Sequence, residues 1–262
     1  MPYKHIDLEH RGPVAWLYLN RPEAMNAVSI PLLIELRGAL SELEADDGTR
    51  VVVLSGKGRA FCAGADLKAP PEGEPDPDRP PREFIDVTVD SDEALSSFPK
   101  PTIAAVNGLA CGGGLELAMM CDLIVAVRSA KLGDAHSNFG MIPGGGATLR
   151  LPRIVGLMRA RYMMFTGDLY SAEEMAGVGL VSRVVEDGTL ESEVQALGEK
   201  LAGKSPLGLK RMKQLINDGY DQPSNLALKA EKHAIKEHLR SHDASEGFAA
   251  FSERRKPNFR GF

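Results

Sequence analysis

Six consecutive apolar residues, Val14 to Leu19 (V-A-W-L-Y-L), end abruptly at N-R-P and read as a buried strand. Ser29 and Pro31 then precede leucines at 32, 33, 36, 40 and 43, and Asp46-Asp47-Gly48 stops the run. That spacing predicts a capped amphipathic helix. R-V-V-V-L-S-G follows as a second strand, β-branched and closed by glycine. Strand, helix, strand in this order implies a parallel crossover. The alternation returns with T-I-A-A-V-N-G as a strand, a glycine-rich helix start, and D-L-I-V-A-V as a strand. From about Glu191 the pattern is helical: Ala227, Ala230 and Ala234, with Leu228, Ile235 and Leu239 beside them, recur at three and four residues.

Between Ala69 and Arg82 the periodicity lapses. Six of the fourteen residues are proline and most others are charged. Such a segment cannot build a core, and it predicts a mobile surface loop inserted between stretches of one style.

Composition narrows the function classes. The 262 residues are 43% hydrophobic and 26% charged, enough to bury one sizeable core. The net charge of −5 argues against nucleic acid as a partner. The N-terminal residues lack an apolar h-region and no run of about 18 uncharged apolar residues occurs, so no membrane span is expected. Three cysteines, Cys62, Cys111 and Cys121, lack metal-site spacing and read as thiols of a reducing compartment. A cytoplasmic protein with no metal is the expectation.

The candidate chemistry begins at N-G-L-A-C-G-G-G-L-E-L-A-M-M-C-D, Asn107 to Asp122. Glycines between a strand and a helix let a ligand approach the backbone, and the helix's first amides have no partner of their own. A negative oxygen is favoured there, either a phosphate or the oxygen of an enolate. The phosphate motifs are missing, and Glu116 would repel a phosphate; an enolate needs a proton carrier, which Glu116 can be. The same glycines could instead serve tight strand–helix packing. A second strand runs into small residues at Gly56 to Lys68, G-K-G-R-A-F-C-A-G-A-D-L-K. Two amide sites on neighbouring parallel strands can converge on one oxygen.

These stretches closely resemble the enoyl-CoA hydratase/isomerase, or crotonase, superfamily. The resemblance extends to L-N-R-P-E-A-M-N-A-V (19–28), A-F-C-A-G-A-D-L-K (60–68), G-M-I-P-G-G-G-A-T-L-R-L-P-R (140–153) and F-S-E-R-R-K-P-N-F (251–259). It implies an α/β fold: a crotonase-like spiral of repeated ββα units over residues 1–195, with a C-terminal helical trimerisation region over 196–262. It implies an acyl-CoA thioester as substrate, no cofactor beyond that coenzyme A, and a homotrimer or homohexamer. The thioester oxygen would meet the amides of Ala65 and Gly113, with Ala24, Ala63, Asp66, Leu67 and Lys68 along the substrate path. Glu116 corresponds to the first of two glutamates that hydratases use on water.

The second of those glutamates falls at His136, the clearest departure from the family pattern. An imidazole can donate or accept near neutral pH, and Asp134 can orient it if the stretch is extended. Hydration of a 2-enoyl-CoA in acyl breakdown is the reading. The alternatives are isomerisation, C–C hydrolysis, decarboxylation, or acyl-CoA binding without catalysis. His233, His238 and His242, at helical spacing, read as a solvated face of one C-terminal helix. Cys62 and Cys111 read as small space-filling residues. Arg254, Arg255 and Lys256 read as a charged helix end or, by resemblance, as partners of coenzyme A phosphates.

Overall fold

A computed structural model describes residues 3–68 and 83–262, so the expected surface loop at 69–82 lies outside the described residues. The chain opens with β1 (Ile6–Arg11), β2 (Val14–Leu19) and α1 (Ile30–Ala45). Next come β3 (Val51–Gly56), β4 (Ala60–Cys62), α2 (Phe84–Ser96), β5 (Thr102–Val106), β6 (Leu109–Cys111) and α3 (Gly113–Met120). The third stretch holds β7 (Leu123–Val127), β8 (Lys131–Gly133), α4 (Ala147–Val155), α5 (Leu157–Thr166), β9 (Tyr170–Ser171) and α6 (Ala172–Gly177). It closes with β10 (Arg183–Val185) and four helices: α7 (Leu190–Ala202), α8 (Pro206–Tyr220), α9 (Ser224–His238) and α10 (His242–Glu253).

Two sheets share the strands. The larger runs β1-β2-β3-β5-β7-β10, parallel except for the β1–β2 hairpin. The smaller runs β4-β6-β8-β9, with only β9 antiparallel. Each of β3, β5 and β7 lies in the large sheet, and the next strand, after a connection of two or three residues, lies in the small one. A helical segment then returns the chain, so the repeated unit is ββα wound as a spiral. The parallel crossover read from β2, α1 and β3 is present, with Trp16 opposite Val53. The three-residue strands of the small sheet are too short to leave a periodic signal, and sequence alone did not separate them from loops.

The core fills the space between the large sheet and its helices. β2 and β3 are buried along their full length, as near-continuous apolar strands of a parallel sheet should be. Leu32, Leu33, Leu36, Leu40 and Leu43 are buried on one face of α1. Beyond α7 the helices carry few buried residues and many exposed apolar ones. Among the described residues no helix is long and apolar enough to cross a membrane. The three histidines expected on one helix divide between two: His233 and His238 lie on α9, whereas His242 opens α10 and packs on Phe262. Arg254 caps α10 in the left-handed region, and Arg255 is paired with Glu246 and Glu253.

One glycine fixes how the small sheet meets α3. A Cβ on Gly114 would stand 2.1 Å from the carbonyl oxygen of Cys62 and 2.7 Å from its carbon. Both are backbone atoms of β4, which cannot retreat without parting strand from helix. Gly114→Ala is expected to lower stability by about 3 kcal/mol, at the upper end for overpacking. The denaturant midpoint checks it.

Candidate active site

The small sheet's parallel strands all end at one place. β4 leads to Ala63–Ala65, β6 to Gly112–Glu116, and β8 to Asp134–His136. Ligands of α/β proteins gather at the carboxyl ends of such strands.

The first turn is pinned from outside. Asn26, fully buried at φ 56°, donates to the carbonyls of Lys57 and Ala60 and accepts from the Arg21 amide. Its neighbour Val28 donates to Gly64 O (2.7 Å) and accepts from Asp66 N (2.9 Å). In a parallel bridge of this kind the intervening N–H, that of Ala65, points the other way. Gly113 opens α3, so its own N–H has no intrahelical acceptor. A Cβ placed on Gly113 would lie 3.7 Å from the Ala65 nitrogen. The two amides are neighbours on the wall of one cavity of about 520 Å3.

Glu116 projects from the first turn of α3 and is only 3% exposed. Its Oε1 accepts hydrogen bonds from the amides of Gly145 (2.8 Å) and Ala147 (3.0 Å), leaving Oε2 toward the cavity. Burial raises its pKa, and the two amides and His136 offset only part of that. His136 Nε2 stands 3.8 Å from Oε2. Behind it, Nδ1 lies 3.1 Å from Asp134 Oδ1, which fixes the ring and leaves Nε2 facing the carboxylate. Burial disfavours the charged imidazole, but the hydrogen bond and charge of Asp134, with the charge of Glu116, outweigh it and raise its pKa. Asp134 meets the ring through a turn rather than along an extended segment, because Ala135 sits at φ 59°.

The remaining sequence candidates divide. Ala63 and Leu67 line the cavity, whereas Ala24, Asp66 and Lys68 do not. Asp66 is paired with Arg21 at 2.7 Å, and Ala24 closes a 3₁₀ turn at Pro22–Ala24. Cys62 is fully buried, which pushes its thiol up to about 12; Cys111 is raised by burial too, and its thiol donates to Ala63 O. Neither is a nucleophile. Among the described residues no group of three or more His, Cys, Asp or Glu could hold a metal ion.

Two features escaped the sequence reading. The amides of Gly145 and Ala147 hold Glu116; their signal was the G-G-G at 144–146. Asp92 lines the same cavity from α2, with Thr88 one turn and Ile85 two turns before it. The interval of seven between Ile85 and Asp92 was the signal there. A larger groove of about 1330 Å3 lies between α8 and α1.

The profile of the family described as enoyl-CoA hydratase/isomerase matches residues 9–261. The chain belongs to the enoyl-CoA hydratase/isomerase family. Among its relatives in that family is the crotonyl-CoA hydratase of Syntrophomonas wolfei, 36% identical over 99% of both chains. The mitochondrial enoyl-CoA hydratase of Pongo abelii is 38% identical over 98% of this chain and 88% of its own length. The crystal structure of an enoyl-CoA hydratase from Bacillus anthracis superposes with a TM-score of 0.92 at 36% identity, covering 99% of this chain and all of that one. The spiral with its C-terminal helices is therefore the crotonase fold.

Proposed function

We propose that this enzyme adds water to 2-enoyl-CoA thioesters, giving 3-hydroxyacyl-CoA thioesters, in the breakdown of fatty or related acyl groups. The observation that carries the reading is one cavity lined by the adjacent residues Ala65 and Gly113 and by an ionisable pair, Glu116 and His136, 3.8 Å apart. Full-length relatives named crotonyl-CoA and short-chain-enoyl-CoA hydratase support it.

The thioester oxygen accepts from the N–H groups of Ala65 and Gly113, which favour the negative charge it gains as an enolate. A water about 2.8 Å from both Glu116 Oε2 and His136 Nε2 fits at the apex of a triangle on their 3.8 Å separation. The Glu116 carboxylate takes a proton from that water as its oxygen bonds to the β-carbon. The imidazolium of His136 gives a proton to the α-carbon as the enolate collapses. A proton passing from Glu116 to His136 restores both groups. Water and enoyl ester account for every atom of the product, and no cofactor beyond the substrate's coenzyme A is called for.

Ala63 and Leu67 line the substrate path, with Ala24, Asp66 and Lys68 toward the coenzyme end. The C-terminal helices assemble the chain as a homotrimer or homohexamer in the cytoplasm; exposed Ile216, Tyr220, Phe248 and Phe251 support such contacts.

An acyl-CoA panel with product analysis tests the proposal, and 3-hydroxyacyl-CoA is the expected product. Shifted double bonds, cleaved chains, or tight binding with no turnover would each overturn it. Gly113→Pro probes the amide directly. Proline suits the first helical position but has no N–H, and its ring occupies the place of the thioester oxygen. We expect kcat to fall about 10²–10³-fold with the fold retained, read by steady-state hydration beside circular dichroism.

A further inference from the structure

Asp92 is the polar group that the mechanism leaves unused. It is 5% exposed and lines the acyl cavity, yet neither carboxyl oxygen has a hydrogen-bond partner among the described residues. Its neighbours on that face of α2 offer none: Ile85 is apolar, and the Thr88 hydroxyl donates to Phe84 O. Burying a carboxyl without partners is costly, and an unpaired buried group is retained where a ligand completes it.

The position of Asp92 relates it to the reacting carbons. A Cβ on Gly145 would stand 2.3 Å from Asp92 Oδ2 and 3.0 Å from Glu116 Oε2, so the two carboxyl groups flank one point of the cavity wall. Under the proposed mechanism Glu116 serves the carbon that takes up water, which leaves Asp92, on the same stretch of wall, to the chain next to that carbon. Burial first, then the charge of Glu116, lifts its pKa to about 8, so at neutral pH it holds its proton and offers one donor and one acceptor. The charge of Arg150 also acts on Asp92 and would oppose a cationic substrate. A neutral oxygen function fits both conditions, and an unsubstituted alkyl chain fits neither lone pair nor proton.

We propose that Asp92 is a specificity-determining residue that selects acyl groups bearing a hydroxyl or carbonyl oxygen on the carbons beyond the reacting double bond. The proposal rests on the cavity's being the acyl site of a 2-enoyl-CoA hydratase. A water resident on Asp92 is the competing occupant, and binding measurements separate the two.

Calorimetry compares hexanoyl-CoA with 4-, 5- and 6-hydroxyhexanoyl-CoA, saturated esters that bind without turnover. At least one hydroxy ester is expected to bind the wild type about tenfold tighter than hexanoyl-CoA. Asp92→Leu should abolish or reverse that preference, and Asp92→Asn, which keeps a donor and an acceptor, should retain most of it. Hexanoyl-CoA binding as tightly as all three hydroxy esters, or a preference that survives Asp92→Leu, overturns the proposal. Should Asp92→Leu not fold, the wild-type ratio and Asp92→Asn decide. Crotonyl-CoA hydration is followed in parallel. An active wild type without the preference removes this inference alone, whereas the preference without hydration removes the hydratase reading alone.

Discussion

Glu116→Gln is expected to lower kcat for crotonyl-CoA hydration by about 10³–10⁴-fold while KM changes little. The substitution is close to isosteric, and the amide oxygen can accept from Gly145 N and Ala147 N as Oε1 does now, so the helix start and the 144–147 loop should persist. Only the atom toward the cavity changes character, from an acceptor that can bind water's proton to an –NH₂ that cannot. Circular dichroism and coenzyme A ester affinity should therefore match the wild type. A variant retaining more than about a tenth of wild-type kcat would take the carboxylate out of the chemistry.

His136→Ala carries the second large effect, a loss of about 10²–10⁴-fold, and its pH profile separates a chemical role from a structural one. Under the proposed mechanism, hydration by the wild type requires Glu116 ionised and His136 protonated. Activity falls on the acid side as Glu116 takes up a proton, at a pH above the ordinary glutamate range because burial raises its pKa. It falls on the alkaline side as His136 loses its proton, above the ordinary histidine range because Asp134 and Glu116 hold the charge. At 3.8 Å the two groups titrate as a pair, so the limbs belong to the pair. Removing the imidazole should erase the alkaline limb and move the acid limb to higher pH, because the charge of His136 no longer opposes the effect of burial on Glu116. An unchanged profile with unchanged rate would exclude the histidine from proton transfer.

Much of the architecture was legible in the sequence, for identifiable reasons. β2, β3, β5 and β7 are continuous apolar runs between breakers, and α1 repeats leucine at helical spacing. The two amide turns were readable because glycine and alanine crowd the ends of strands. What stayed hidden depends on contacts distant in sequence. β4, β6 and β8 are three residues long and owe their existence to one another. The loop at 144–147 grips Glu116 across about thirty residues of chain. Asp134 reaches His136 only because Ala135 adopts a left-handed conformation, which the residue type does not announce. Asp92 looked like one acid among several in V-D-S-D-E, and only the helix's orientation reveals it as enclosed.

The contact of Gly114 on the Cys62 carbonyl lies directly behind the Ala63–Ala65 and Gly112–Gly113 wall of the cavity and makes that wall its rigid side. Backbone meets backbone there, with no side chain to adjust, so the amide pair is set by the scaffold whatever ester arrives. The opposite wall is made of side chains on α2 and around Phe139–Ile142, where exchange of a single residue reshapes the space and leaves the scaffold untouched. If the cavity holds the acyl chain as proposed, new preferences can be engineered from residues 85, 88 and 92 while the backbone that sets the amide pair stays as it is.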